Sequence, residues 1–197
     1  MVKMKCMILN HLLTNHNLLN LSGAQWISQL MGVNISDFYE AIPSFKGASK
    51  RLECQAKGKT SFLFNDFAHA PSKVKATVDA VDRQFLNYEI TFCLELHTFS
   101  SLDLEFLNQY ADTLKKTSNS IIFYDPVVLK NKNRRPISED YIKKAFDHPT
   151  LKLFTDKNAL MNFLIDKNYV KHVLVFMSSG NFGGIDWEII KSHIKKF

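Results

Sequence analysis

The spacing of apolar positions changes character at about residue 51. From Asn15 to about Met31, Leu18, Leu19, Ala24, Trp26, Ile27 and Leu30 recur near helical spacing and Gly32 follows as a stop signal, which predicts a helix with a buried stripe. Ser36 and Asp37 open a shorter second helix through Phe38, Ala41 and Ile42, and Pro43 ends it. With a short strand ahead of them, these helices make residues 1–50 a strand-plus-helices unit, too small to bury a core of its own.

From Arg51 onward, short apolar runs alternate with helical patterns, the signature of an α/β sheet covered by helices. Leu52–Ala56 and Ser61–Asn65 flank Lys57-Gly58-Lys59 and read as a hairpin. A helix over 71–86 follows, with Pro71 in its first turn and Val74, Val78, Val81 and Phe85 on one face. Strand Ile90–Glu95 leads to a helix capped near Ser100 or Ser101, with Leu104, Leu107, Tyr110, Ala111 and Leu114 inward. Strand Ser120–Tyr124 then enters a long loop over 125–137. Ser138 caps a helix to Phe146, Leu151–Phe154 is a short strand, and Asp156 caps a helix to about Ile165. The last strong strand is Val173–Met177, and a glycine-rich turn leads into a final helix with Ile185, Ile189, Ile190 and Ile194 apolar.

Composition narrows the class. The 197 residues are 46% hydrophobic and 22% charged, an ordinary globular balance without repeats or low-complexity tracts. The first ten residues lack the long apolar core of a secretory leader, and no apolar run approaches the ~20 residues that span a bilayer, so a cytoplasmic protein without membrane contact is expected. Cys6, Cys54 and Cys93 are odd in number and too far apart for a zinc knuckle, which argues for reduced thiols, with Cys93 a small buried hydrophobe. A net charge of +6 suits a polyanionic ligand such as a nucleotide. The basic cluster Lys130, Lys132, Arg134 and Arg135 has no interleaved aromatics on which bases could stack, so nucleic acid is not expected and a solvated loop is.

Open α/β sheets bind ligands beyond the carboxyl ends of their strands. That rule singles out Asp66–Pro71, His97–Ser101, Asp125 onward and Ser178–Gly184. In Asp66-Phe67-Ala68-His69-Ala70-Pro71 a carboxylate placed before a helix N-terminus can accept ribose hydroxyls, and His69 can reach into a cleft. By itself this segment is equally well read as a capped turn with an exposed histidine.

The same segment, with the Ser-x-x-x-Ala-Thr that follows, resembles the Asp-Asp-Phe-Ala-His-His-Pro-Thr-x-x-x-Ala-Thr signature that opens the C-terminal domain of Mur ligases. Ser44-Phe45-Lys46-Gly47-Ala48-Ser49-Lys50-Arg51-Leu52-Glu53 resembles that family's Phe-x-x-x-x-Arg-Arg-Leu-Glu junction between central and C-terminal domains. His16-Asn17-Leu18-Leu19-Asn20 resembles the His-Asn-x-x-Asn that lies against the adenine in the ATP-binding domain. Met177-Ser178-Ser179-Gly180-Asn181-Phe182-Gly183-Gly184-Ile185 is similar to the Met-Ser-Asn-Gly-Gly-Phe-Gly-Gly-Ile of the murein peptide ligase branch, which joins UDP-N-acetylmuramate to L-alanyl-γ-D-glutamyl-meso-diaminopimelate.

The resemblance implies a Rossmann-like, mostly parallel sheet over residues 51–197, the C-terminal Mur ligase domain, preceded in 1–50 by a remnant of the central ATP-binding domain. It implies ATP and Mg as cofactors, with Mg held mainly by the rest of the enzyme. His16, Asn17 and Asn20 would lie at the adenine, Asp66 at the ribose and Arg51 at the nucleotide from the hinge. His69, His97 and the Asn181-Phe182-Gly183 turn would face the incoming amine. The sequence departs from the family at Ala70, where a second His is usual, and at His97-Thr98-Phe99-Ser100-Ser101, where alanine-adding members carry an Arg-rich loop. Both departures suit a peptide acceptor better than a single small amino acid.

No Gly-x-x-x-x-Gly-Lys-Ser/Thr occurs in the 197 residues, so these residues alone are not expected to activate a carboxylate. Two alternatives stay open. One is a folylpolyglutamate synthase-like ligase domain, which shares an Asp-x-Ala-His-Asn-Pro motif; the other is a non-catalytic nucleotide- or peptide-binding α/β module.

Overall fold

A computed structural model describes residues 15–45, 49–115, 117 and 119–197, with the side chains of residues 15–17 excepted. The strand expected ahead of the first helix lies outside these residues. Helix α1 spans Asn15–Leu30 and α2 spans Ile35–Ala41, continued by a 3-10 turn over Ile42–Ser44 that contains Pro43. The Tyr39 hydroxyl donates to Gln25 Oε1 at 2.8 Å and ties the two helices together. The stripe expected to be buried on α1 is not: Leu18, Leu19, Trp26, Ile27 and Leu30 are all exposed, because no described element covers that face.

Six strands follow. They are β1 (Glu53–Lys57), β2 (Ser61–Asp66), β3 (Glu89–Glu95), β4 (Asn119–Phe123), β5 (Lys152–Phe154) and β6 (His172–Met177), in the spatial order β1-β2-β6-β3-β4-β5. Only β1 runs antiparallel, closing the expected hairpin on β2. The other pairs are parallel, so five strands end on the same edge of the sheet. Every residue of β6 is buried, as a central parallel strand covered on both faces requires.

The period-two alternation of strand side chains builds two cores. On one face Phe64, Phe92, Val173 and Val175 pack against Val74, Val78 and Val81 of α3 (Pro71–Gln84) and against Leu107, Tyr110, Ile142 and Phe146. On the other, Leu63, Cys93, Leu174 and Phe176 meet Leu160 and Leu164 of α7 (Lys157–Ile165) and Ile190 and Ile194 of α8 (Trp187–Ile194). Each such aliphatic side chain contributes roughly 1.5–3 kcal/mol on burial. The crossovers β2–β3, β3–β4 and β4–β5 lie on the first face, and the return from β5 to β6 lies on the second. The chain therefore changes face at β5, and because the segment after β6 lies on the second face while those after its neighbours β2 and β3 lie on the first, the carboxyl end of β6 is the topological switch point.

Several local expectations are corrected. The helix after β3 is only α4 (Leu104–Leu107) with a 3-10 turn over Asn108–Tyr110, and its cap is Asp103, whose Oδ1 accepts from the Glu105 and Phe106 amides at 3.1 and 3.2 Å. Ser101 cannot serve, because its hydroxyl is engaged with Thr98. Ala111 is exposed rather than inward. The loop after β4 contains α5 (Pro126–Asn131), started by Asp125 and Pro126. Ser138 and Asp156 cap α6 (Glu139–Ala145) and α7 as expected. In α8, Ile189 faces outward.

Candidate functional site

The turns that follow β2, β6, β3 and β4 stand side by side on one edge. Register places Asp66 opposite Met177, Met177 opposite Leu94, and Glu95 opposite Phe123. The Ser178 amide donates to the Asp66 carbonyl at 3.0 Å, so the 66–71 turn and the 178–184 turn begin in direct contact.

Asp66 is 6% exposed, and its Oδ1 accepts the Ala68 amide at 2.7 Å, which closes the turn. Burial pushes its carboxyl up from the ordinary value, against the opposing influence of the Ala68 and Leu52 amides, the Arg51 charge and the Thr77 hydroxyl. Arg51 lies between two left-handed residues, Lys50 (φ 55°) and Leu52 (φ 47°), and the Lys50 carbonyl accepts the Phe67 amide at 2.7 Å. Strained backbone of this kind persists where its surroundings hold it. The exposed Arg51 guanidinium sits 5.5 Å from the Phe67 ring centroid, and the His69 ring meets the same aromatic edge-on at 5.2 Å. His69 Nδ1 is 2.8 Å from the Phe67 carbonyl, so Nδ1 carries the proton there and Nε2 is left as an acceptor. Arg51, Asp66 and His69 thus form one group around Phe67.

The second group centres on a residue that the sequence reading passed over. Glu95 ends β3 and is 1% exposed. Its Oε2 accepts the Phe182 amide at 3.0 Å and the Ser178 hydroxyl, and that hydroxyl in turn accepts the Gly180 amide at 2.6 Å. His97 Nδ1 lies 3.7 Å from Glu95 Oε1, with the His97 side chain 32% exposed. A Cβ at Gly180 would stand 2.6 Å from Glu95 Oε2 and 2.7 Å from His97 Nδ1, so only glycine allows the loop this close. Lys132 fixes the neighbouring turn by donating to the His97 carbonyl at 2.6 Å, with its ammonium 4.5 Å from the Phe99 ring centroid. Arg134 pairs with Asp103 at 2.9 Å, so half of the basic cluster read as a solvated loop anchors local structure. Signals for Glu95 were present: a carboxylate at the carboxyl end of an otherwise apolar strand, flanked by Leu94 and Leu96.

Phe182 needs a correction as a substrate contact. Its ring is buried against Phe123, Phe176 and Trp187, at centroid distances of 5.9, 4.9 and 6.5 Å, and only its backbone belongs to the site. The ring anchors three consecutive left-handed residues, Phe182, Gly183 and Gly184. Asn181 is exposed at the tip, and Gly183 approaches the Asp125 carboxylate and Lys157. Asn20 is exposed on α1, whereas the side chains of His16 and Asn17 lie outside the described residues. Among the described residues, no cluster of three or more His, Cys, Asp or Glu is placed to hold a metal, and no helix is long and apolar enough to cross a membrane.

No protein-family model matches the sequence. Solved structures do match in three dimensions. Over 93% of its length the chain aligns with 37% of a UDP-N-acetylmuramate-alanine ligase from Thermotoga maritima, at TM-score 0.67 and 15% identity. The fold is that of a Mur ligase C-terminal domain. A murein peptide ligase from Psychrobacter arcticus aligns over 93% of this chain and 38% of its own, at TM-score 0.62 and 17% identity. The Mur-type fold extends to a folylpolyglutamate synthase from Thermotoga maritima, which aligns over 83% of this chain and 36% of its own, at TM-score 0.52 and 16% identity. The chain therefore spans under two fifths of the length of these ligases.

Proposed function

We propose that this chain is the C-terminal part of an ATP-dependent amide-bond ligase of peptidoglycan synthesis or recycling, joining UDP-N-acetylmuramate to a peptide. The reading rests on the direct contact between the Asp66–Pro71 turn and the Ser178–Gly184 turn at the switch point of a Mur-type sheet. The first turn carries the groups suited to a nucleotide and the second faces the acceptor side.

In such a reaction ATP phosphorylates the sugar's carboxylate, and the peptide amine attacks the acyl phosphate, forms the amide and expels phosphate. Mg and a phosphate loop supply charge stabilisation during transfer, and both belong to the remainder of the enzyme. This chain closes over the nucleotide: Asp66 accepts from ribose hydroxyls through the lone pairs that Ala68, Leu52 and Thr77 leave free, Arg51 approaches the phosphates, and Asn17 and Asn20, next to His16, meet the adenine. His69, His97, Asn181 and the Gly183 backbone receive the amine substrate. These assignments make the protein cytoplasmic, where ATP and UDP-sugars reside.

Two measurements test the proposal. Titrating ATP and the tripeptide L-alanyl-γ-D-glutamyl-meso-diaminopimelate into 15N-labelled protein should move amides of 66–71 with nucleotide and of 97–101 and 178–184 with peptide. A polyglutamylated folate that moves the second set, with no response to tripeptide, would transfer the assignment to the folate ligases. Incubation of the chain alone with ATP, Mg, UDP-N-acetylmuramate and tripeptide should give no product, and turnover would refute the division of labour.

A further inference from the structure

Glu95 is the most deeply buried carboxylate at the site edge, and it touches both turns on the acceptor side. One oxygen gathers the Phe182 amide and the Ser178 hydroxyl, while the other faces His97 Nδ1 at 3.7 Å. That separation is too long for a hydrogen bond but lies within ion-pair distance. A carboxylate beside Nδ1 favours the tautomer with its proton on that nitrogen, which leaves Nε2 as the acceptor available to a ligand. A side chain at position 180 would collide with both groups at once, so glycine is what lets the loop lie this close to the carboxylate and the imidazole.

We propose that Glu95 is a positioning residue for the incoming amine: its carboxylate locks the Ser178–Gly184 turn and the His97 turn into one recognition unit that offers His97 Nε2 to the substrate's amino group. The inference rests on the ligase reading above. Glu95 does not touch the substrate; it acts through His97 and through the loop backbone. A purely architectural role would also account for a buried, hydrogen-bonded carboxylate, but it would not make peptide affinity depend on the carboxylate's charge once the fold is kept.

The test separates the two. Glu95→Gln retains an oxygen that can accept from Phe182 and Ser178 and removes the charge; Ser178→Ala retains the charge and removes the hydroxyl link. Both are titrated with the tripeptide by amide chemical-shift mapping, with thermal melting recorded alongside. We expect Glu95→Gln to melt close to the parent protein while its peptide affinity falls about tenfold or more. Ser178→Ala should weaken binding less and speed amide exchange at Gly180. Should Glu95→Gln fail to fold, Ser178→Ala decides: unchanged peptide affinity and unchanged exchange at Gly180 overturn the inference. Peptide affinity within about twofold of the parent in a folded Glu95→Gln also overturns it and leaves the ligase reading intact. Absence of any peptide-induced shift in the parent protein at about 10 mM removes the ligase reading and this inference with it.

Discussion

Asp66 closes β2 with its carboxylate turned inward, and burial raises its pKa, so at neutral pH its ionised form weakens the fold. Asp66→Asn keeps an oxygen for the Ala68 amide without the charge. The variant should melt at or above the parent temperature at pH 7 and lose nucleotide-induced amide shifts; a lower melting point would contradict this account. His172 behaves in the opposite sense. Burial holds its imidazole down to about 4, with Glu89 opposing and Lys167 reinforcing, and its Nδ1 has no hydrogen-bond partner. A base depressed in the folded state confers stability that is complete above its unfolded value near 6.5 and is lost as pH falls through about 4. The urea midpoint should therefore drop across that window by an amount worth roughly 3 kcal/mol, and the drop should flatten in His172→Gln. At this scale the sequence was readable where a motif and a turn coincide, as at Asp66 and His69. At Glu95 it offered a carboxylate closing an apolar strand but not its hydrogen-bond partners Ser178 and Phe182, more than 80 positions away, and it was misleading at Phe182, whose place in a glycine-rich loop hid a core side chain.

Strands and most helices were legible because the apolar period changes cleanly between them. The boundaries that failed depended on competition between caps: Asp103 outcompeted Ser100 and Ser101, and Asp125-Pro126 started a helix within a presumed loop. The hairpin turn between β1 and β2 has a role that no local pattern announces. It receives the end of α8, with the Thr60 amide donating to the Phe197 carbonyl at 2.8 Å and the Ser61 hydroxyl to the Ile194 carbonyl at 2.7 Å. A Cβ at Gly58 would fall 2.7 Å from that Ile194 oxygen. Gly58→Ala should destabilise the protein by about 1–3 kcal/mol through overpacking, read as a lowered denaturant midpoint with the slope unchanged. A neutral result would mean that the α8 terminus moves aside freely.

For the whole molecule, α1 presents an unusual surface. It contains no Asp, Glu, Lys or Arg, yet Trp26 is 69% exposed and Leu30 85%. Helical periodicity was read correctly there, whereas burial was not, because periodicity reports that a face is apolar and not what covers it. With Trp187→Phe leaving Trp26 as the sole indole, emission should be red-shifted and readily quenched by acrylamide; blue-shifted, protected emission would show that the face is covered in solution. The position of β6 has a separate consequence, for biosynthesis. The strand that separates β2 from β3 is translated last of the six, so a nascent polypeptide carries two unsatisfied inner edges until residue 177 has left the ribosome. Stalled chains ending before His172 should be protease-sensitive and chaperone-bound, and those extending well past Met177 should acquire resistance in a single step.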